Sequence, residues 1–254
     1  MKRMFSSLII AFAMYSKIPM PGVEWSKENM RYAMCFFPLV GAVVGGALYF
    51  WGRISDILGM SRVFDTVIII LIPLLLTGGI HMDGFMDTVD ARCSYQSRER
   101  KLEILKDPNT GAFAVIACIG YLLLSYGFWY EMTPEILPAA AIGFVISRAL
   151  SGLAVVTFPL AKNSGLAATF SNGANKRRTG AVMMVFLLLG FGGMLLVNWK
   201  TGTICLAAVS LLFLYYYRMA VKEFGGITGD LAGYFLQLCE LTIVICAIIG
   251  GRLK

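Results

Sequence analysis

Residues 63–80 read VFDTVIIILIPLLLTGGI, residues 81–90 read HMDGFMDTVD, and the join between them decides the fold. The first run carries a single acid, Asp65, and no base. It approaches the roughly 20 apolar residues that a membrane-crossing helix requires. The second run places Asp83, Asp87 and Asp90 within eight residues. Hydrocarbon does not tolerate such a run of ionised groups. The join therefore marks a place where a membrane span reaches an aqueous face.

The same alternation extends over the whole chain. Apolar runs at 31–51, 63–80, 111–130, 135–158, 180–197, 202–217 and 230–250 are separated by short polar segments. The 254 residues are 58% hydrophobic and only 15% charged, against about a quarter charged in soluble domains. The expected architecture is all-α: one integral membrane domain over residues 1–254, a polytopic transmembrane helical bundle of about seven spans. The opening MKRMFSSLIIAFAMYS has the basic start and apolar run of a signal peptide but no clean cleavage site. Residues 4–20 are too short to cross and read as a retained interfacial or re-entrant segment.

Charge orients the bundle. Lys and Arg outnumber Asp and Glu 22 to 15. Counted through alternate loops, 16 basic residues fall on one side and 5 on the other, with Arg148 alone inside a span. The positive-inside rule puts the richer side in the cytoplasm. Loops 81–110 and 159–179 then face the cytoplasm, 131–134 faces outside, and Lys254 ends outside. The basic excess belongs to juxtamembrane loops rather than to a nucleic-acid surface. The site-bearing loops of a plasma (inner) membrane protein would accordingly face the cytoplasm. Six scattered cysteines without a CxxC pattern read as small buried hydrophobes.

Asp83, Asp87 and Asp90 stand at i, i+4 and i+7, which returns to one face of a helix. Like charges so placed repel. A hard divalent cation offsets that repulsion, and Mg²⁺ binds through carboxylates while leaving positions for substrate phosphate. The alternative is a solvated face at a helix end. Gly78, Gly79 and Gly84 favour the metal, because they allow a ligand close to the backbone. Arg92, Arg98 and Lys106, with Arg100 and Lys101, follow as candidate phosphate ligands. Their interleaving with Glu99, Glu103 and Asp107 equally fits a solvated helix laced with ion pairs. A second turn, Gly225-Gly226-Ile227-Thr228-Gly229-Asp230, opens the last span on the same side. Its Gly226 and Gly229 could cradle phosphate with backbone N–H groups, or form a plain capped turn. Asp230 would add a fourth acid to a one- or two-metal site. His81 is the only histidine; it reads as a second-shell hydrogen-bonding group or as the proton acceptor for an attacking hydroxyl.

Together these runs resemble the cobalamin synthase, or adenosylcobinamide-GDP ribazoletransferase, family. The resemblance is carried by Gly-Gly-x-His-x-Asp-Gly-x-x-Asp-Thr-x-Asp at 78–90 and Arg-Glu-Arg-x-Leu-Glu-Ile-x-Lys-Asp-x-x-x-Gly at 98–111. Gly-Gly-x-Thr-Gly-Asp at 225–230, with Glu240 ten residues on, and the opening Lys17-Ile18-Pro19-Met20-Pro21 add to it. It runs almost end to end and departs at Ala91-Arg92-Cys93, where the family has a Gly-rich stretch. It implies a membrane-embedded, Mg²⁺-dependent transferase of substituted phosphate groups. That enzyme joins α-ribazole or its 5′-phosphate to adenosylcobinamide-GDP with loss of GMP, the last assembly step of cobalamin. It implies membrane lipid and these two substrates as partners. A homo-oligomer and association with other cobalamin-assembly enzymes stay open.

Rival readings use the same acids differently. A CDP-alcohol phosphotransferase would carry an Asp-Gly-x-x-Ala-Arg run, and a prenyltransferase a second Asp-x-x-x-Asp motif; neither is present. A cation-coupled transporter would be expected to show inverted repeats, and none is evident. Away from the acids, Arg148 and Glu240 each lie roughly 15 Å down their spans at 1.5 Å per residue. Their matched depths suggest a structural buried pair; the alternative for Arg148 is a phosphate ligand in a wet cavity.

Overall fold

The computed structural model describes residues 2–253, so Lys254 lies outside the described residues. Its helices are α1 (Lys2–Tyr15), α2 (Lys27–Met30), α3 (Phe37–Ile57), α4 (Arg62–Thr77), α5 (Ile80–Cys93), α6 (Arg98–Ile104), α7 (Ala112–Tyr130), α8 (Leu137–Thr157), α9 (Leu166–Gly173), α10 (Lys176–Val197), α11 (Trp199–Met219) and α12 (Gly229–Arg252). A 3₁₀ turn, Ala33–Phe36, leads into α3, and a π-helical turn, Ala220–Phe224, closes α11. The only bridge between extended segments among the described residues joins Leu160 to Ile227.

Six helical segments are each long and apolar enough to cross a membrane. Counting the pair α4 and α5, bent by 92° at their join, as one broken span gives a seventh. The protein is thus a multi-pass helical membrane bundle. The first candidate span runs over Lys27–Ile57, with the 3₁₀ turn Ala33–Phe36 interrupting it before the regular helix α3.

Chemistry explains the bend. Gly78 and Gly79 both hold positive φ, 65° and 76°. An L-residue side chain would cost about 1–2 kcal/mol at each such position, and glycine is exempt. A Cβ on Gly78 would also strike the Lys17 side chain. Two left-handed residues in succession turn the chain sideways. The acids consequently lie on α5, across the end of the bundle, rather than on a continued span.

Two helices form the axis. More than 70% of α8 and α12 is buried within the protein, while α7, α10 and α11 are mostly open to lipid. Close approach is built from small residues. A Cβ on Gly41 or Gly45 of α3 would fall on the carbonyl oxygens of Phe144 or Ala141 of α8, and one on Gly143 would meet Ile243 of α12. The outer surface presents Leu75, Ile116, Leu123, Leu188 and Leu196. In water such a surface would be an aggregation hazard; in a bilayer it is solvated by acyl chains.

The two ends of the bundle differ. At one end Arg62 donates to the carbonyls of Tyr130 (2.6 Å) and Met132 (2.8 Å), and Arg252 pairs with Glu131. The opposite end gathers α1, α2, α5, α6, α9 and the Gly225–Asp230 turn. α1 has only 14 residues, about 21 Å of helix, and buries Ile9, Ile10 and Phe12 while exposing Met4 and Phe5.

Candidate active site

Four acids meet at the second end, from two helices. Asp83, Asp87 and Asp90 sit on α5, and Asp230 on the first turn of α12. Gly84 makes the approach possible: a Cβ there would lie 2.7 Å from the Asp230 carbonyl oxygen. Gly233 does the same from the other side, 2.9 Å from the His81 carbonyl oxygen. The Thr228 hydroxyl donates to Asp230 (3.3 Å) and caps α12 by accepting from the Leu231 N–H (3.2 Å).

The four acids are not equivalent. Burial, then the charges of Asp83, Asp230 and Asp90, push the Asp87 carboxyl up to about 7. Asp90 is committed to the protein. Its two oxygens accept the N–H groups of Gly111 (2.5 Å) and Ala114 (2.9 Å), so it caps α7, which has no side-chain cap of its own. Asp90, expected with Asp83 and Asp87 to face a metal, thus has backbone donors on both oxygens. No three acid, histidine or cysteine side chains converge as a ready-made metal cage among the described residues. The oxygen-only donor set still suits Mg²⁺, which takes one or two carboxylates and completes its shell with water and substrate phosphate.

The basic residues separate into two groups. Arg92 donates to both Glu223 oxygens (3.0–3.3 Å) and to the hydroxyls of Tyr215 (2.8 Å) and Tyr234 (3.0 Å). Lys101 joins the same Glu223 at 2.9 Å. Arg92 therefore braces α5 against α11 and α12, and its fork is not available to phosphate as the sequence reading had it. The Arg98 guanidinium lies against Gly225, whose φ is 78°, in the space that a Cβ would occupy. Gly226 likewise accommodates protein rather than ligand: a Cβ would strike Pro159 and Leu160, beside the Leu160–Ile227 bridge.

Lys106 does face the acids' neighbourhood, together with Lys162, which sequence reasoning did not single out. Both line a pocket of about 240 Å³ that also contains Thr228, Gly229 and Asp230. Lys162 donates to the Leu102 carbonyl (2.6 Å), and burial, then the Lys106 charge, lower its pKa. No local motif marks Lys162; only the bridge at Leu160 brings it to the site.

Two further openings lie beside it, the first sharing Asp230 with this pocket and Asp83 with the second. One is a cavity of about 260 Å³ under α5, lined by Asp83, Asp230, Gly229 and His81 together with apolar side chains. The other is an open groove of about 780 Å³ between α1, α4 and α5, lined by Lys17, Met86 and Asp83. His81 is buried, and burial, then Arg148, hold its imidazole well below the usual histidine range, so it is neutral.

Below the site, Arg148 of α8 and Glu240 of α12 are hydrogen-bonded as a buried ion pair. The Ser147 hydroxyl accepts from the same guanidinium nitrogen at 3.0 Å. Arg148 thus faces Glu240 rather than a wet phosphate site.

The comparisons with known proteins agree on one family. Residues 7–248 match the family model described as cobalamin-5-phosphate synthase. An adenosylcobinamide-GDP ribazoletransferase of Lachnoclostridium phytofermentans is 48% identical over 96% of this chain and 94% of its own. One of Clostridium botulinum (strain Alaska E43 / Type E3) is 33% identical over 95% of this chain and 96% of its own. One of Clostridium perfringens (strain 13 / Type A) is 31% identical over 96% and 98%. No solved structure matches.

Proposed function

The chain belongs to the cobalamin-5-phosphate synthase family and carries its ribazoletransferase activity; from that premise we propose that Asp83, Asp87 and Asp230 perform it with Mg²⁺ at the cytoplasmic end of the bundle. The observation that supports the reading is a cavity edged by both Asp83 and Asp230, which continues at Asp83 into the open groove and at Asp230 into the pocket of Lys106 and Lys162. A two-substrate phosphoryl transfer requires such a junction.

In the reaction a hydroxyl of α-ribazole, or of its 5′-phosphate, attacks the cobinamide-side phosphorus of adenosylcobinamide-GDP. The hydroxyl loses its proton, a phosphorus–oxygen bond forms, and the bond to the bridging oxygen breaks to release GMP. Positioning and charge neutralisation do most of the work in such transfers. Mg²⁺ held by Asp83, Asp87 and Asp230 would supply charge neutralisation at the diphosphate. Lys106 and Lys162 bind its non-bridging oxygens. Asp90 and Arg92 hold α5 in place, and the Arg148–Glu240 pair braces the floor. A transporter reading leaves the paired lysines without a role.

Two outcomes test this placement. Lys106→Ala and Lys162→Ala should each raise KM for the GDP-activated substrate roughly tenfold, about the 1.4 kcal/mol of one charge-assisted contact. Unchanged KM in both would remove the phosphate pocket. For sidedness, cysteine at position 95, where Tyr95 is fully exposed on the α5–α6 link, should react only from the cytoplasm. Cysteine at position 253 should react only from outside, and labelling of both from one side contradicts the orientation.

A further inference from the structure

We propose that the cavity beneath α5 is the seat of the nucleophile's heteroaromatic base, with His81 as its hydrogen-bonding contact. This rests on the ribazoletransferase reading and assigns which substrate enters which opening.

Each of the three openings is lined by Asp83, by Asp230 or by both, and they differ in kind. The groove between α1, α4 and α5 is wide and open, suited to a large partner. The Lys106–Lys162 pocket is cationic. The cavity between them is the least open of the three and largely apolar, walled by Tyr15, Met34, Phe37 and Leu236, with Asp83 and Asp230 at its polar edge. At about 260 Å³ it falls just below the roughly 300–1,000 Å³ of ordinary small-molecule pockets. It exceeds by far the ~30 Å³ share of one water. A flat two-ring base fits that description; a nucleoside diphosphate or a corrinoid does not.

The walls suit such a base. The Tyr15 ring lies 4.2 Å from that of Phe37, centroid to centroid, and 6.2 Å from the His81 ring, nearly parallel to it. Aromatic surfaces of this kind favour stacking on a planar ligand. The independent observation is His81 itself. It is 5% exposed, and its Nε2 has no hydrogen-bond partner within the protein. Buried polar atoms without partners are rare and usually await a ligand or water. Ribazole is a riboside of a benzimidazole, whose apolar fused rings retain one unsubstituted ring nitrogen as an acceptor. Nε2–H of the imidazole donates to that nitrogen. With the base so held, the ribose lies toward Asp83 and Asp230, where its hydroxyl meets the diphosphate. Binding the base in this slot also fixes the nucleophile's orientation, which lowers the entropic cost of a bimolecular attack.

The test is equilibrium dialysis of detergent-solubilised protein with labelled α-ribazole, which needs no turnover. The free benzimidazole base should displace α-ribazole competitively and leave adenosylcobinamide-GDP binding unchanged. Val155→Phe, which fills the cavity from α8, and His81→Phe, which removes the donor, should each weaken α-ribazole binding at least tenfold. Affinity for adenosylcobinamide-GDP should stay within twofold, which also shows that the variants are folded. GMP release that depends on α-ribazole, with no displacement by the base and wild-type α-ribazole affinity in both variants, overturns this assignment alone. Absence of both α-ribazole binding and GMP release in the wild-type protein overturns the functional reading with it.

Discussion

Asn at position 83, 87 or 230 should cut the rate of GMP release roughly 10²- to 10³-fold, the usual loss when one preorganised stabiliser of transition-state charge is removed. Asn keeps the size of Asp and removes the charge. The three positions are grouped because Gly84 and Gly233 press α5 and α12 together, so that Asp83 and Asp230 share one cavity edge. Asp87 stands near enough to both for their charges to raise its pKa. Asp90 should behave differently. Both its oxygens accept N–H groups at the start of α7; Asn keeps one of the two acceptors, so the change costs part of a cap rather than a charge at the reacting phosphate. Asp90→Asn should therefore lose far less rate than the other three, while Asp90→Ala should lower stability by about 0.5–2 kcal/mol. Four equal losses, or near-normal turnover in any two of the first three, would sink this division of labour. Circular dichroism and detergent gel filtration check that each variant is folded.

Removing either partner of the Arg148–Glu240 pair should destabilise the bundle by about 3–5 kcal/mol, because the survivor is left charged in a dry interior. Arg148→Ala and Glu240→Ala should each lower the melting temperature in detergent substantially. The double variant should lose much less than the sum, since no orphan charge remains. Gly41 of α3 passes directly over Arg148, and a Cβ there would lie 2.8 Å from its Cδ. The pair therefore ties α3, α8 and α12 at one level. Strictly additive losses, or either single variant melting like wild type, would show that the pair contributes no coupling.

Sequence periodicity exposed the spans well, because hydrocarbon imposes length and composition together. It located α7, α8 and α12 to within two residues of their observed starts at Ala112, Leu137 and Gly229. It misjudged the ends where backbone conformation decides. The apolar run reaches residue 80, but Gly78 and Gly79 turn left-handed and end α4 at Thr77. Much of the site was visible because its acids are locally clustered. The roles of individual groups were not, because they depend on partners far away in the chain. Arg92 meets Glu223 and Asp90 meets Gly111 only once α11 and α7 have packed. A faint signal existed for Asp90: α7 opens at Gly111-Ala112 and draws its cap from elsewhere. Lys162 had no such mark, since a lone lysine in a loop resembles any solvated charge.

On the proposed assignment, this bundle end joins a ribazole nucleophile to a GDP-activated partner with Mg²⁺ held by its acids. The most direct measurement is GMP release by purified protein given adenosylcobinamide-GDP, with and without α-ribazole, before and after chelation of divalent cations. The expected result is one GMP per ribazole joined, loss of release with EDTA, and recovery when Mg²⁺ is restored. Release that proceeds at the same rate in EDTA, or that does not depend on α-ribazole, would contradict it.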